Sequence, residues 1–96
     1  MAGYVALIHK DAGTSYGVSF PDLPGCVSVG DTLDEAVRNA AEALAGHLAL
    51  MKADGDPIPA PRSLDAIKSD PGLDDDLAGA TVRVISPARH FVTAAE

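Results

Sequence analysis

Phe20-Pro21-Asp22-Leu23-Pro24-Gly25-Cys26, followed by Gly30-Asp31-Thr32-Leu33-Asp34-Glu35-Ala36, is the stretch that decides the fold. Pro21 has no amide hydrogen to give a β-ladder and Pro24-Gly25 favours a tight corner. A strand ending at Phe20 must therefore stop, turn and resume at Cys26. The strand from Cys26 to Val29 runs directly into a helix. Thr32 and Glu35 stand at capping-box spacing, and Asp34 and Glu35 fall where the positive helix end favours carboxylates.

Upstream, Tyr4 to His9 is almost continuously apolar, the pattern of a central strand covered on both faces. Lys10 to Ser15 is polar and contains Gly13, which predicts a hairpin into Tyr16 to Phe20. In that second strand Tyr16, Val18 and Phe20 alternate with Gly17 and Ser19, so one face packs. Downstream, Leu33, Ala36, Val37, Ala40, Leu44, Leu48 and Met51 recur every three or four residues and form one apolar helical stripe. Asp34 and Arg38 are spaced for a weak surface pair, and Lys52 precedes an Asp54-Gly55 stop.

Asp56 to Pro61 is too proline-rich for helix and predicts an extended surface strap. Ser63 to Ile67 can form one capped turn that Asp70-Pro71-Gly72 ends, and Asp74-Asp75-Asp76 reads as solvated loop or a short helix start. Thr81 to Ser86 is the last strand, closed by Pro87, within a segment of about 80–86. The tail 87–96 has no clear pattern, although Phe91-Val92 is apolar enough to dock. The order strand, strand, strand, helix, strand predicts a mixed α+β sheet, three antiparallel strands plus a fourth, with one long helix on one face.

Ninety-six residues form one domain, 1–96, because so short a chain cannot divide its apolar surface between two cores. With two Tyr, two Phe and no Trp, the core must be aliphatic and thin, which favours a homo-oligomer, a dimer or tetramer. Seven Lys and Arg against fourteen Asp and Glu give a net charge of −7, the wrong sign for phosphate neutralisation and the right sign for a basic partner. No direct DNA binding is expected. The single cysteine, the absence of a secretory start at Met1 to Tyr4 and the lack of an apolar run of about 20 residues together predict a cytoplasmic protein with no membrane association.

Candidate chemistry is sparse. Cys26 lacks a neighbouring base and reads as a small half-buried strand residue rather than a nucleophile. His9, His47 and His90 are scattered without metal-ligand spacing, and Asp11, Asp22 and Asp31 fall in turns that explain them. Gly25 and Gly30 lack the spacing and lysine of a phosphate loop. The residues point to no catalytic group, no metal and no cofactor.

From Tyr16 to Cys26, through Ser28, Gly30 to Ala36 and Ala40, to the Pro57-Ile58-Pro59 strap, the chain resembles the HicB-like antitoxin family. Its motif-bearing core spans residues 4–62. The structural motif is Phe20, Pro21, Asp22, Pro24, Gly25, Cys26, Gly30, Thr32, Glu35 and Ala36. This resemblance implies a partial ribonuclease H-like fold: three antiparallel strands, a helix and a fourth strand. It implies a type II toxin-antitoxin role, in which a non-catalytic domain neutralises a small basic mRNA-cleaving toxin of the HicA type. Many relatives continue into a DNA-binding module, so the chain resembles a short form lacking it. The expected contacts are Asp34, Glu35, Arg38 and Glu42 on the outer helix face, with Asp22 and Leu23 at the corner. Two alternatives stand beside this reading: a self-associating structural or ligand-binding module without a toxin, and a residual metal-dependent nuclease using Asp11 and Asp22.

Overall fold

The structure, a computed structural model, describes residues 3–10 and 12–88. Strands β1 (Tyr4–Lys10), β2 (Tyr16–Ser19) and β3 (Val27–Gly30) precede the long helix α1 (Leu33–Asp54). Two short helices, α2 (Leu64–Lys68) and α3 (Asp74–Leu77), flank a 3-10 turn at Pro71–Leu73, and β4 (Thr81–Ile85) closes the order. Thr32 caps α1 by accepting from the Glu35 N–H at 3.1 Å, and the Glu35 carboxylate accepts from the Asp31 N–H at 3.2 Å. At the other end Gly55 takes φ 75°, and the Gly55 and Asp56 N–H groups return to the carbonyls of Lys52 and Met51. These bonds satisfy the last carbonyls of the helix and stop it where the sequence predicts.

The four strands run in the order β3-β2-β1-β4, and every neighbouring pair is antiparallel. Three antiparallel strands, a long helix and a fourth strand added after it are the expected arrangement. After α1 the chain continues as a second layer under the opposite face of the sheet. It then enters β4 running opposite to β1. Strand ends differ from the sequence reading by one residue at Lys10, Phe20, Cys26, Gly30 and Ser86, the fraying usual at element boundaries.

β1 is central and buried on both sides from Tyr4 to Ile8, as its unbroken apolar run predicts. Tyr4, Ala6 and Ile8 face α1 and join Val18, Phe20, Leu23, Cys26, Ala36, Ala40, Leu44, Leu48 and Ile85 in the larger core. Val5 and Leu7 face the other way, where Ile67 is fully buried and Leu64, Leu73, Leu77, Ala80 and Val82 pack around it. Burying a side chain such as Leu44 or Ile67 contributes about 1.5–3 kcal/mol relative to exposure, so this second layer is an integral part of the fold. The anticipated single helical layer is thus only half of the covering.

The tightest packing lies where β3 meets α1. A Cβ on Gly30 would stand 2.3 Å from the Ala36 nitrogen and 2.6 Å from its Cα. Only glycine permits that approach, and so the helix can start three residues after the strand ends. Tail residues from Arg89 onward, including Phe91, Val92 and His90, lie outside the described residues, as does Asp11. Before them, the Ala88 N–H donates to the Ala41 carbonyl at 3.0 Å, which seats the chain after β4 against α1.

Candidate partner-binding surface

The corner between β2 and β3 is built by two tight turns. The Leu23 N–H donates to the Phe20 carbonyl and the Cys26 N–H to the Leu23 carbonyl, each at 3.0 Å, while Gly25 takes φ 91°. Leu23 is thereby driven into the core, where it is 1% exposed. Asp22 is turned toward the strap: its carboxylate accepts the Arg62 backbone N–H at 2.7 Å and the Arg62 Nε–H at 2.6 Å. The same guanidinium donates to Asp70 at 2.9 Å, and the Gly72 N–H donates to the other Asp70 oxygen. These hydrogen bonds, from Arg62 first and Gly72 second, hold the Asp70 carboxyl below the usual carboxylate range. Hydrogen bonds to Asp70 and then to Asp22 raise the Arg62 guanidinium above its usual value.

One arginine therefore ties the corner, the strap and the second layer together. The Tyr4 hydroxyl adds a further tie by donating to the Pro59 carbonyl. Burial first, and the Asp22 charge second, raise the Tyr4 phenol, so it remains a protonated donor. Sequence reading missed Arg62 altogether. Its only signal was position, a single cation directly after a proline strap whose length brings it back to the corner.

Six residues were expected to meet a partner. The structure places Asp34 and Arg38 exposed on α1, without the ion pair their spacing predicted: among the described residues both ion pairs use Arg62. Glu35 closes the helix cap and Glu42 is half-buried on the same helix. Asp22 is engaged by Arg62 with its side chain 7% exposed, and Leu23 belongs to the core. Only Asp34 and Arg38 of the six are fully exposed.

Charge elsewhere is also outward. None of the described charged residues is buried, and Asp65, Asp74, Asp75 and Asp76 lie exposed on the second layer. His9 leaves the end of β1 on that side and donates through Nε2 to the Asp76 carbonyl at 2.6 Å. Cys26 is buried, and burial pushes its thiol up, so its sulfur stays protonated and shielded. Among the described residues no group of three or more His, Cys, Asp or Glu could hold a metal ion. Among the described residues no helix is long and apolar enough to cross a membrane.

Comparison with known proteins agrees with this architecture. An uncharacterized 14.9 kDa protein of Haemophilus phage HP1 is 42% identical over 72 residues, 75% of this chain and 53% of the phage protein. The crystal structure of the Burkholderia pseudomallei antitoxin HicB superposes with a TM-score of 0.76 at 32% identity, covering 90% of this chain and 63% of that one. A chain of the HicA3 and HicB3 toxin-antitoxin complex superposes with a TM-score of 0.71 at 28% identity, covering 90% of this chain and 98% of that one. The chain therefore spans about half the length of the phage relative and under two thirds of the Burkholderia antitoxin. The family described as HicB_like antitoxin of bacterial toxin-antitoxin system matches residues 4–89, and the chain belongs to that family.

Proposed function

We propose that this chain is a non-catalytic antitoxin domain that binds a small, basic, RNA-cleaving toxin of the HicA type and suppresses its activity. The observation that carries the reading is the superposition on a chain of the HicA3 and HicB3 complex over 98% of that chain's length. The charge supports it: a net −7 presents a potential complementary to a basic partner, which steers encounter and rejects acidic competitors. The exposed helix residues Asp34 and Arg38, with Glu42 beside them, are the proposed contacts. Asp22, Leu23 and Glu35 act through the shape they hold rather than by contact.

A binding role also suits the chemistry. The described residues bring together no nucleophile and base, and the buried thiol is held protonated. Inhibition by covering a partner's active site requires only a rigid surface of the right shape and charge. The test is co-expression with a tagged toxin of the HicA type. The two proteins should co-purify and the cells should grow; toxin recovered alone from arrested cells would refute the role. Asp34→Lys should weaken the complex while leaving the melting temperature unchanged, because the residue is exposed on the surface of α1.

A further inference from the structure

The second layer covers only half of its sheet face. Ile67 and its neighbours sit over Val5, Leu7 and Val82, on β1 and β4. On the β2-β3 half the same face carries Gly17 and Ser19, paired to Val29 and Val27. These two valines are 64% and 65% exposed on the edge strand β3. Natural edge strands carry charges, prolines or bulges that discourage further pairing. The other edge, β4, has Arg83 at its centre and Pro87 shortly after it, whereas β3 has neither charge nor proline between Val27 and Gly30. Asn39 donates to the Val29 carbonyl at 2.9 Å, which steadies this edge and leaves that oxygen a second lone pair.

We infer that β3 is a homodimer contact, pairing antiparallel with β3 of a second copy about a two-fold axis at Ser28. The sequence of the edge is what singles out a second copy. Val27-Ser28-Val29 reads the same in both directions, with uncharged Cys26 and Gly30 outside it, and a two-fold contact demands such self-complementarity. Pairing about Ser28 sets Val27 opposite the second copy's Val29 and Val29 opposite its Val27. Four β-branched side chains then close over one another on the bare face. The charge pattern agrees. In this register Asp31 falls opposite Gly25 of the other copy, so two chains of net −7 meet along a neutral strip with no carboxylate facing a carboxylate.

A four-residue edge is small beside a standard interface of about 800 Å² per partner, so the dimer is weak and concentration-dependent. The contact concerns this chain alone, and its test is separate from toxin binding. Sedimentation equilibrium of the purified chain between roughly 5 and 300 μM, the range of such small interfaces, should show a monomer–dimer equilibrium. Val29→Lys should leave a monomer with an unchanged circular dichroism spectrum, while Val84→Lys, which charges the 51% exposed valine on the other edge, should still dimerise. Ser28→Cys should cross-link two copies on oxidation, since paired Cα atoms across antiparallel strands lie within about 4.4–6.8 Å, the span of a disulfide. A wild-type chain that stays monomeric to the highest concentration, a Val29→Lys variant that dimerises like wild type, or a dimer that Ser28→Cys cannot link would each overturn the inference.

Discussion

Arg62 holds the Asp22 carboxylate from two directions, by its backbone N–H at 2.7 Å and its Nε–H at 2.6 Å. Backbone and side chain of one residue thus lock a turn that lies 40 positions earlier in the chain. The geometry explains why a proline-rich strap with no secondary structure of its own follows a defined path. Its end is anchored at the corner, and its middle is held by the Tyr4 hydroxyl at Pro59. Arg62→Met should therefore lower the melting temperature by about 5 °C, because it leaves a shielded carboxylate short of a donor. Asp22→Asn should cost less, since an amide oxygen can still accept from the backbone N–H. Thermal melts of the two variants decide the order, and an Arg62→Met protein as stable as wild type would show that the clasp is decorative.

The same clasp sets a pH dependence. Asp70 is depressed in the folded chain by Arg62 and by the Gly72 N–H, so its contribution to stability is complete above the unfolded carboxylate value, about 4. It is lost as pH falls through the lower folded value, where the native state must also take up the proton. Urea denaturation at pH 7 and at about pH 3 should show the gap between wild type and Asp70→Asn shrinking in acid. A gap that widens in acid would contradict the assignment.

Gly30 and Gly17 make a paired test of packing. A methyl at Gly30 collides with the Ala36 backbone and with the Glu35 carbonyl carbon at 2.8 Å, none of which can rotate away. Gly30→Ala should cost about 2–3 kcal/mol in chemical denaturation. Gly17→Ala meets nothing within 4 Å and should be neutral or stabilising by about 0.5 kcal/mol, because it reduces the freedom of the unfolded chain.

Ile67 tests whether the second layer belongs to the cooperative unit. It is fully buried among Val5 and Leu7 although it sits on a helix of five residues. Ile67→Ala should cost about 2–4 kcal/mol, the usual effect of a core cavity, and should shift the single unfolding transition as a whole. Loss of a small separate transition instead would show that this layer melts independently of the sheet.

The parts of the fold legible in the sequence are those specified by local chemistry. The corner at Pro21 to Gly25, the Thr32 cap, the Gly55 stop and the period of α1 each depend on residues a few positions apart, and each appears where expected. Burial of β1 on both faces was also readable, as a run of apolar residues without alternation. What was not readable depends on distant partners. A single buried residue, Ile67, gives α2 no periodic signal, so nothing local marks the segment as the cover of a sheet face. The pairing of β4 with β1 likewise joins residues far apart in the chain, and no local signal marks it. The site divided in the same way. Exposure of Asp34 and Arg38 followed from the helix period, whereas the capture of Asp22 by Arg62 required the strap's path through space.

The account rests on the claim that this chain works by covering a basic partner and carries out no chemistry itself. The most direct measurement is a titration of the chain into an RNA-cleavage reaction driven by a toxin of the HicA type. Cleavage should fall linearly to zero at one antitoxin chain per toxin, with the chain alone leaving the RNA intact, and added salt should weaken the inhibition as charge screening requires. Undiminished cleavage at a several-fold excess of chain, or cleavage of RNA by the chain itself, would contradict it.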